Sequence, residues 1–106
     1  MKPNFFFFFL FSFFFFLFSP SFSQIKKAND HFQNYEYSAA IPQYIKVLKH
    51  EDKNLEALQN LAHCYRFIGD YEKAEIFYAK ALDIPGYEPQ IPLLYGKMLK
   101  ANNKVD

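Results

Sequence analysis

The chain's 106 residues are too few for more than one small domain. Lys and Arg number 12 against 11 Asp and Glu, a net charge of +1. That excludes the basic field that draws proteins onto nucleic acid or anionic lipid. A single cysteine, Cys64, excludes an intrachain disulfide.

Aromatic residues make up 22% of the chain, but twelve of the fifteen Phe residues precede Gln24. They belong to the opening MKPNFFFFFLFSFFFFLFSPSFS: Lys2 near the start, an apolar run from Phe5 to Phe18, then small polar residues and Pro20. This is the layout of an export signal peptide over residues 1–23. Ser21-Phe22-Ser23 supplies the small-x-small pattern, and cleavage is expected before Gln24. As a helix the apolar run would cover roughly 21 Å against a hydrocarbon core of ~30 Å, which disfavours a retained anchor. The mature chain, residues 24–106, is expected to be exported, touching membrane only through the leader.

From Ile25 to Asn34 the pattern predicts a short helix with Ala28 and Phe32 inward and Asn34 as terminator. A second helix follows from Tyr37 to Lys49, with Tyr37, Ala40, Ile41, Tyr44, Val47 and Leu48 on one face. Pro42 lies inside it, where a proline costs ~3 kcal/mol unless the helix adapts, so a distortion is expected there. His50 to Asn54 is a polar connection.

Leu55, Leu58, Leu61, Ala62 and Tyr65 recur at steps of three and four, predicting a third helix. Tyr71, Ala74, Phe77, Tyr78, Ala81 and Leu82 predict a fourth. Between them Gly69 suits a left-handed helix end, and Asp70 suits an N-cap. Pro85-Gly86-Tyr87 is turn chemistry. A fifth helix is expected to open at Glu88, with Pro89 and Pro92 in its first turn and Leu93, Leu94, Gly96, Met98 and Leu99 as its apolar positions.

These helices repeat with a fixed stride. Shifting by 34 residues lays Ala28 on Ala62, Tyr37 on Tyr71, Ala40 on Ala74, Tyr44 on Tyr78 and Leu48 on Leu82. In the other direction Leu61-Ala62 falls on Tyr95-Gly96, Tyr65 on Leu99 and Asp70 on Lys104. The expected organisation is all-α: antiparallel helical hairpins over about 25–53 and 54–87, then an incomplete third repeat over 88–106. Leu94, Tyr95 and Leu99 would then lie uncovered, and the chain is expected to be the N-terminal piece of a longer protein.

The period and its residue types resemble the tetratricopeptide (TPR) repeat, carried by Leu58, Leu61-Ala62, Tyr65, Ala74, Tyr78, Ala81 and, one place early, Pro85. The resemblance implies a TPR-like α-solenoid whose concave groove, lined by the first helix of each pair, takes a protein or peptide partner. It implies groove positions for Glu56, Gln59, His63, Arg66 and Phe67. Asn29 and Gln33 would join them from the first repeat, and Lys97 and Lys100 from the third. Asn29 and Asn60 occupy the Asn slots of relatives that grip C-terminal carboxylates. Ile25, Gln90 and Leu94 fill those relatives' basic slots, so such a clamp is not expected.

A narrower resemblance joins the leader, the YSAAIPQY helix and the hairpin LQNLAHCYRFIGDYEKAEIFYAKAL. Together they look like the N-terminal region of exported Bacteroidetes proteins, in which such repeats precede a β-propeller-like segment and an OmpA-like peptidoglycan-binding domain. It implies a periplasmic or outer-membrane-peripheral setting, an envelope protein as partner, and a downstream domain not in this chain.

No nucleophile elbow, phosphate-binding Gly loop or paired-Cys zinc spacing is present, so no catalytic residue, metal ligand or cofactor is expected. His63 and Cys64 point about 100° apart on a helix and cannot converge on one ion, so Cys64 is read as a buried small residue. Glu72 and Glu75 are read as a solvated charged face. The chain is read as a binding module, with a bare structural spacer or an accessory domain of a longer exported enzyme as the alternatives.

Overall fold

The computed structural model describes residues 20–104, with side chains from Ser23 onward. Met1 to Ser19 of the expected leader lie outside the described residues. Five helices follow one another: α1 Pro20–Gln33, α2 Tyr37–His50, α3 Leu55–Phe67, α4 Tyr71–Leu82 and α5 Ile91–Ala101. Each packs antiparallel on the next, and α1 also touches α3. The described residues are all helix and connection, stacked as a TPR-like solenoid. α1 begins five residues before the expected Ile25 and runs through the Ser23–Gln24 bond at which cleavage is expected.

The core is built around residues that the stride superposes. Ala28, Ala62, Ala40, Ala74, Tyr44 and Tyr78 are all fully buried. The alanines let the helices approach, and the tyrosines fill the space between hairpins. Leu61 and Ile91 are also fully buried, each contributing about 1.5–3 kcal/mol of apolar burial.

The turns repeat with the helices. Glu36 N–H donates to the His31 carbonyl at 2.9 Å, Asp70 N–H to Tyr65 at 2.9 Å, and Lys104 N–H to Leu99 at 2.8 Å. Each bond spans five residues and closes a first helix by a Schellman turn. The left-handed residue inside each turn is Tyr35 (φ 62°), Gly69 (φ 87°) or Asn103 (φ 59°). In the first repeat the helix ends at Gln33, Asn34 follows as the expected terminator, and Tyr35 makes the left-handed turn. Asp70 Oδ1 caps α4 by accepting from Lys73 N–H at 3.2 Å. Asn54, placed by sequence in a plain connection, caps α3 through Ala57 N–H at 3.0 Å.

Several expectations need correction. α2 runs unbroken through Pro42. Pro42 and Ser38 are both exposed, so water can satisfy the Ser38 carbonyl that the proline leaves unpaired. α5 starts at Ile91, not Glu88, with Pro92 in its first turn and Pro89 outside it. Pro89 pushes Glu88 away from helical geometry, and the Glu88 N–H is already held by Gln59. Leu93 and Gly96 are exposed, because among the described residues no further helix closes over α5. Leu94, Tyr95 and Leu99 are half-buried.

Tyr71, expected in the core, is 43% exposed. Its counterpart Tyr37 lies against Phe67 with ring centroids 4.6 Å apart. One stride beyond Phe67 is Ala101, which offers Tyr71 no ring.

Candidate functional site

Two buried tyrosines on the second helices reach across to the first helices and set the floor of the concave side. The Tyr44 hydroxyl donates to Asn29 Oδ1 at 2.6 Å and accepts from Asn60 Nδ2 at 3.1 Å. Asn29 Nδ2 donates onward to Glu56 Oε1 at 3.0 Å. Burial raises the Tyr44 phenol well above its usual range.

One stride later the slots of Asn29 and Asn60 hold His63 and Leu94. Leu94 has no donor, so the Tyr78 hydroxyl accepts instead from Arg66 Nε at 2.9 Å. Its own hydrogen then goes to His63 Nδ1, 2.7 Å away, which leaves the other imidazole N–H facing Glu88 Oε2 at 3.4 Å. Burial holds the imidazole below its usual pKa against the opposing pull of the Glu88 carboxylate, so His63 is neutral at pH 7.

Glu88 is the far end of this chain of bonds. Its N–H donates to Gln59 Oε1 at 2.6 Å, and Gln59 Nε2 donates back to its carboxylate at 3.3 Å. Gln90 Nε2 also donates to that carboxylate. The chain therefore joins α3, α4 and the segment leading into α5.

Above this floor lies an open cleft of about 440 Å³. Its apolar lining is Phe32, Phe67, Leu93 and Leu94, and Asn60, His63, Arg66 and Glu88 are among the polar groups that line it with them. Phe67 is 47% and Leu93 63% exposed. The Arg66 guanidinium lies 4.3 Å from the Phe67 ring centre, a cation–π contact.

The sequence-derived groove positions divide into three groups. Arg66 and Phe67 line the cleft and are accessible. Gln59 and His63 are buried and engaged with Glu88 and Tyr78, although His63 also belongs to the cleft lining. Asn29, half-buried and bonded to Glu56, lies outside the cleft lining, as do Glu56, Gln33, Lys97 and Lys100, which are exposed. Glu88, Leu93, Phe32 and Leu94 were not among the expected groove residues. Leu93 and Leu94 stand one stride beyond Gln59 and Asn60, so the repeat arithmetic contained them.

Elsewhere, Cys64 is fully buried and its thiol is pushed up to about 12 by that burial. Glu72 is exposed, but Glu75 is not simply solvated. It accepts from Lys104 at 2.9 Å and Asn102 at 3.0 Å, and those bonds hold its carboxyl below the usual range. The third repeat's turn thus docks on the second repeat's last helix. Among the described residues no group of His, Cys, Asp or Glu could hold a metal ion, and no helix is long and apolar enough to cross a membrane.

Residues 55–86 match the family model of the tetratricopeptide repeat. The matched stretch is the α3–α4 hairpin together with the turn that follows it. No curated protein matches the chain.

Proposed function

We propose that this chain is an exported protein–protein interaction module whose concave cleft docks an extended segment of a partner protein in the cell envelope. The observation that carries the docking reading is that Phe67 and Leu93, both substantially exposed, line one cleft together with Arg66. Apolar walls around a charged group are the usual composition of a peptide site. A tetratricopeptide repeat at 55–86 supports it, since such repeats commonly bind protein or peptide partners and are generally non-catalytic.

Export rests on the leader pattern of Met1 to Ser23. The periplasmic or outer-membrane-peripheral setting, and a peptidoglycan-binding domain further along a longer protein, rest on the narrower resemblance alone. Export is tested by producing the full chain in an exporting host and weighing it. A product beginning at Gln24 supports it, and an intact Met1 terminus contradicts it.

Docking is tested by capturing envelope proteins on the full chain and on a Phe67→Ser, Leu93→Ser variant, then measuring the purified captured protein against both. The affinity is expected to drop about tenfold or more in the variant. Equal affinity would return the chain to the reading of a spacer that only sets geometry. The saturation of Glu88 by Gln59, His63 and Gln90 is the observation favouring that second reading.

A further inference from the structure

Tyr35, Gly69 and Asn103 occupy the same slot in successive repeats, all with left-handed backbone. Glycine and asparagine adopt that conformation readily, whereas a bulky side chain does so against steric resistance. Tyr35 gains no burial in return, since it is 78% exposed. A side chain held against its backbone preference while staying in solvent points towards a role outside the fold.

Its position shows which. The Tyr35 ring meets Tyr37 edge-on at 6.3 Å, Tyr37 lies against Phe67 at 4.6 Å, and Arg66 lies over Phe67. Three aromatic rings thus form a ridge that leaves the end of the first hairpin and enters the cleft at Arg66. Among the described residues Arg66 has no carboxylate partner, giving only Nε to Tyr78. Glu88, the carboxylate in the cleft, already faces Gln59, His63 and Gln90. Glu36, beside the ridge, is 3.7 Å from His31. Glu88 keeps its negative charge, since Gln59, His63 and Gln90 are neutral, but its oxygens are engaged. The terminal guanidinium nitrogens of Arg66, by contrast, have no hydrogen-bond partner among the described residues.

We infer that the ridge Tyr35–Tyr37–Phe67 extends the docking cleft, and that its occupant is an extended peptide with one acidic side chain on Arg66 and bulky apolar side chains at alternate positions on the rings. Alternate residues of an extended strand point the same way at a spacing of about 6.6 Å, comparable to the spacing of Tyr35 and Tyr37. A carboxylate meets guanidinium with charge-assisted hydrogen bonds, and aromatic faces suit aliphatic or aromatic side chains. This inference rests on the cleft being the docking site.

The test is selection of a displayed random octapeptide library on the full chain, followed by binding of the recovered peptides to variants. Recovered peptides are expected to carry Asp or Glu with Phe, Tyr, Trp or Leu two residues away. Their affinity is expected to fall about tenfold in Arg66→Gln and about fivefold in Tyr35→Asn. Tyr35→Asn installs the residue the third repeat uses in this slot, so folding is retained; melting temperature verifies this. Binders that Leu94→Glu abolishes but Tyr35→Asn leaves unchanged would overturn the ridge and leave the cleft standing. Binders lacking the acidic-apolar signature would overturn the proposed occupant. Recovery of no binders would overturn both the ridge and the cleft.

Discussion

His63 Nδ1 lies 2.7 Å from the Tyr78 hydroxyl, and this contact is the second repeat's copy of the bond between Tyr44 and Asn29. The tyrosines are the same, stand one stride apart and are both fully buried. The partners differ because the first helices differ. Tyr44 is held by two amides from successive hairpins, and Tyr78 by an imidazole and a guanidinium from a single helix.

Removing the Tyr44 hydroxyl tests the amide network. Tyr44→Phe leaves Asn29 Oδ1 and Asn60 Nδ2 with only their mutual contact of 3.4 Å. We expect a loss of about 1–2 kcal/mol, read as a drop in thermal midpoint. A midpoint equal to wild type would show that water replaces the hydroxyl without cost.

His63 gives the fold a pH dependence of known sign. Its folded pKa lies below the ordinary value of 6.5 because burial disfavours the cation. The unfolded chain therefore binds the proton first as pH falls. The stabilising effect is complete above pH 6.5 and is lost as pH falls from there towards the folded pKa. His63→Asn copies the Asn29–Tyr44 arrangement and removes the titrating group. Thermal midpoints from pH 7 to pH 5 should fall more steeply for wild type than for this variant, and equal slopes would refute the assignment.

The shared left-handed slot predicts opposite effects in two repeats. Tyr35→Gly relieves the backbone and should stabilise the fold by about 1 kcal/mol. Gly69→Ala should destabilise it by a similar amount. Nothing lies within 4 Å of the added Cβ at Gly69, so that loss is purely conformational. Denaturant midpoints of the two variants moving the same way would contradict the common-slot argument.

Gln59 should control the approach to α5. Gln59→Leu frees the Glu88 N–H and removes one donor to its carboxylate. A stability loss of about 1–3 kcal/mol is expected, with faster amide exchange at Glu88 than at Asp70. Unchanged exchange at Glu88 would mean the segment is held by Ile91 alone.

Much of this protein is legible in its sequence because the information is local and repeated. The apolar steps of Leu58, Leu61, Ala62 and Tyr65 fix one face of α3, since helical geometry alone decides which residues share a face. Gly69 and Asp70 mark the turn by their own backbone and capping chemistry. The 34-residue stride then carries those decisions to Ala28, Tyr44 and Tyr37 without further assumption.

Only the tertiary structure decided which concave-side residues are accessible. Gln59, His63 and Arg66 all belong to α3, yet Gln59 and His63 are buried against Glu88 while Arg66 opens onto the cleft. Tyr71 lost its expected core place because the residue one stride past Phe67 is Ala101, and Glu75 lost its solvation to the turn of the third repeat. Periodicity orients a side chain about its own helix axis. Whether that side chain meets water or a partner depends on a residue about thirty positions away on the next hairpin, and a helical period carries no information about it.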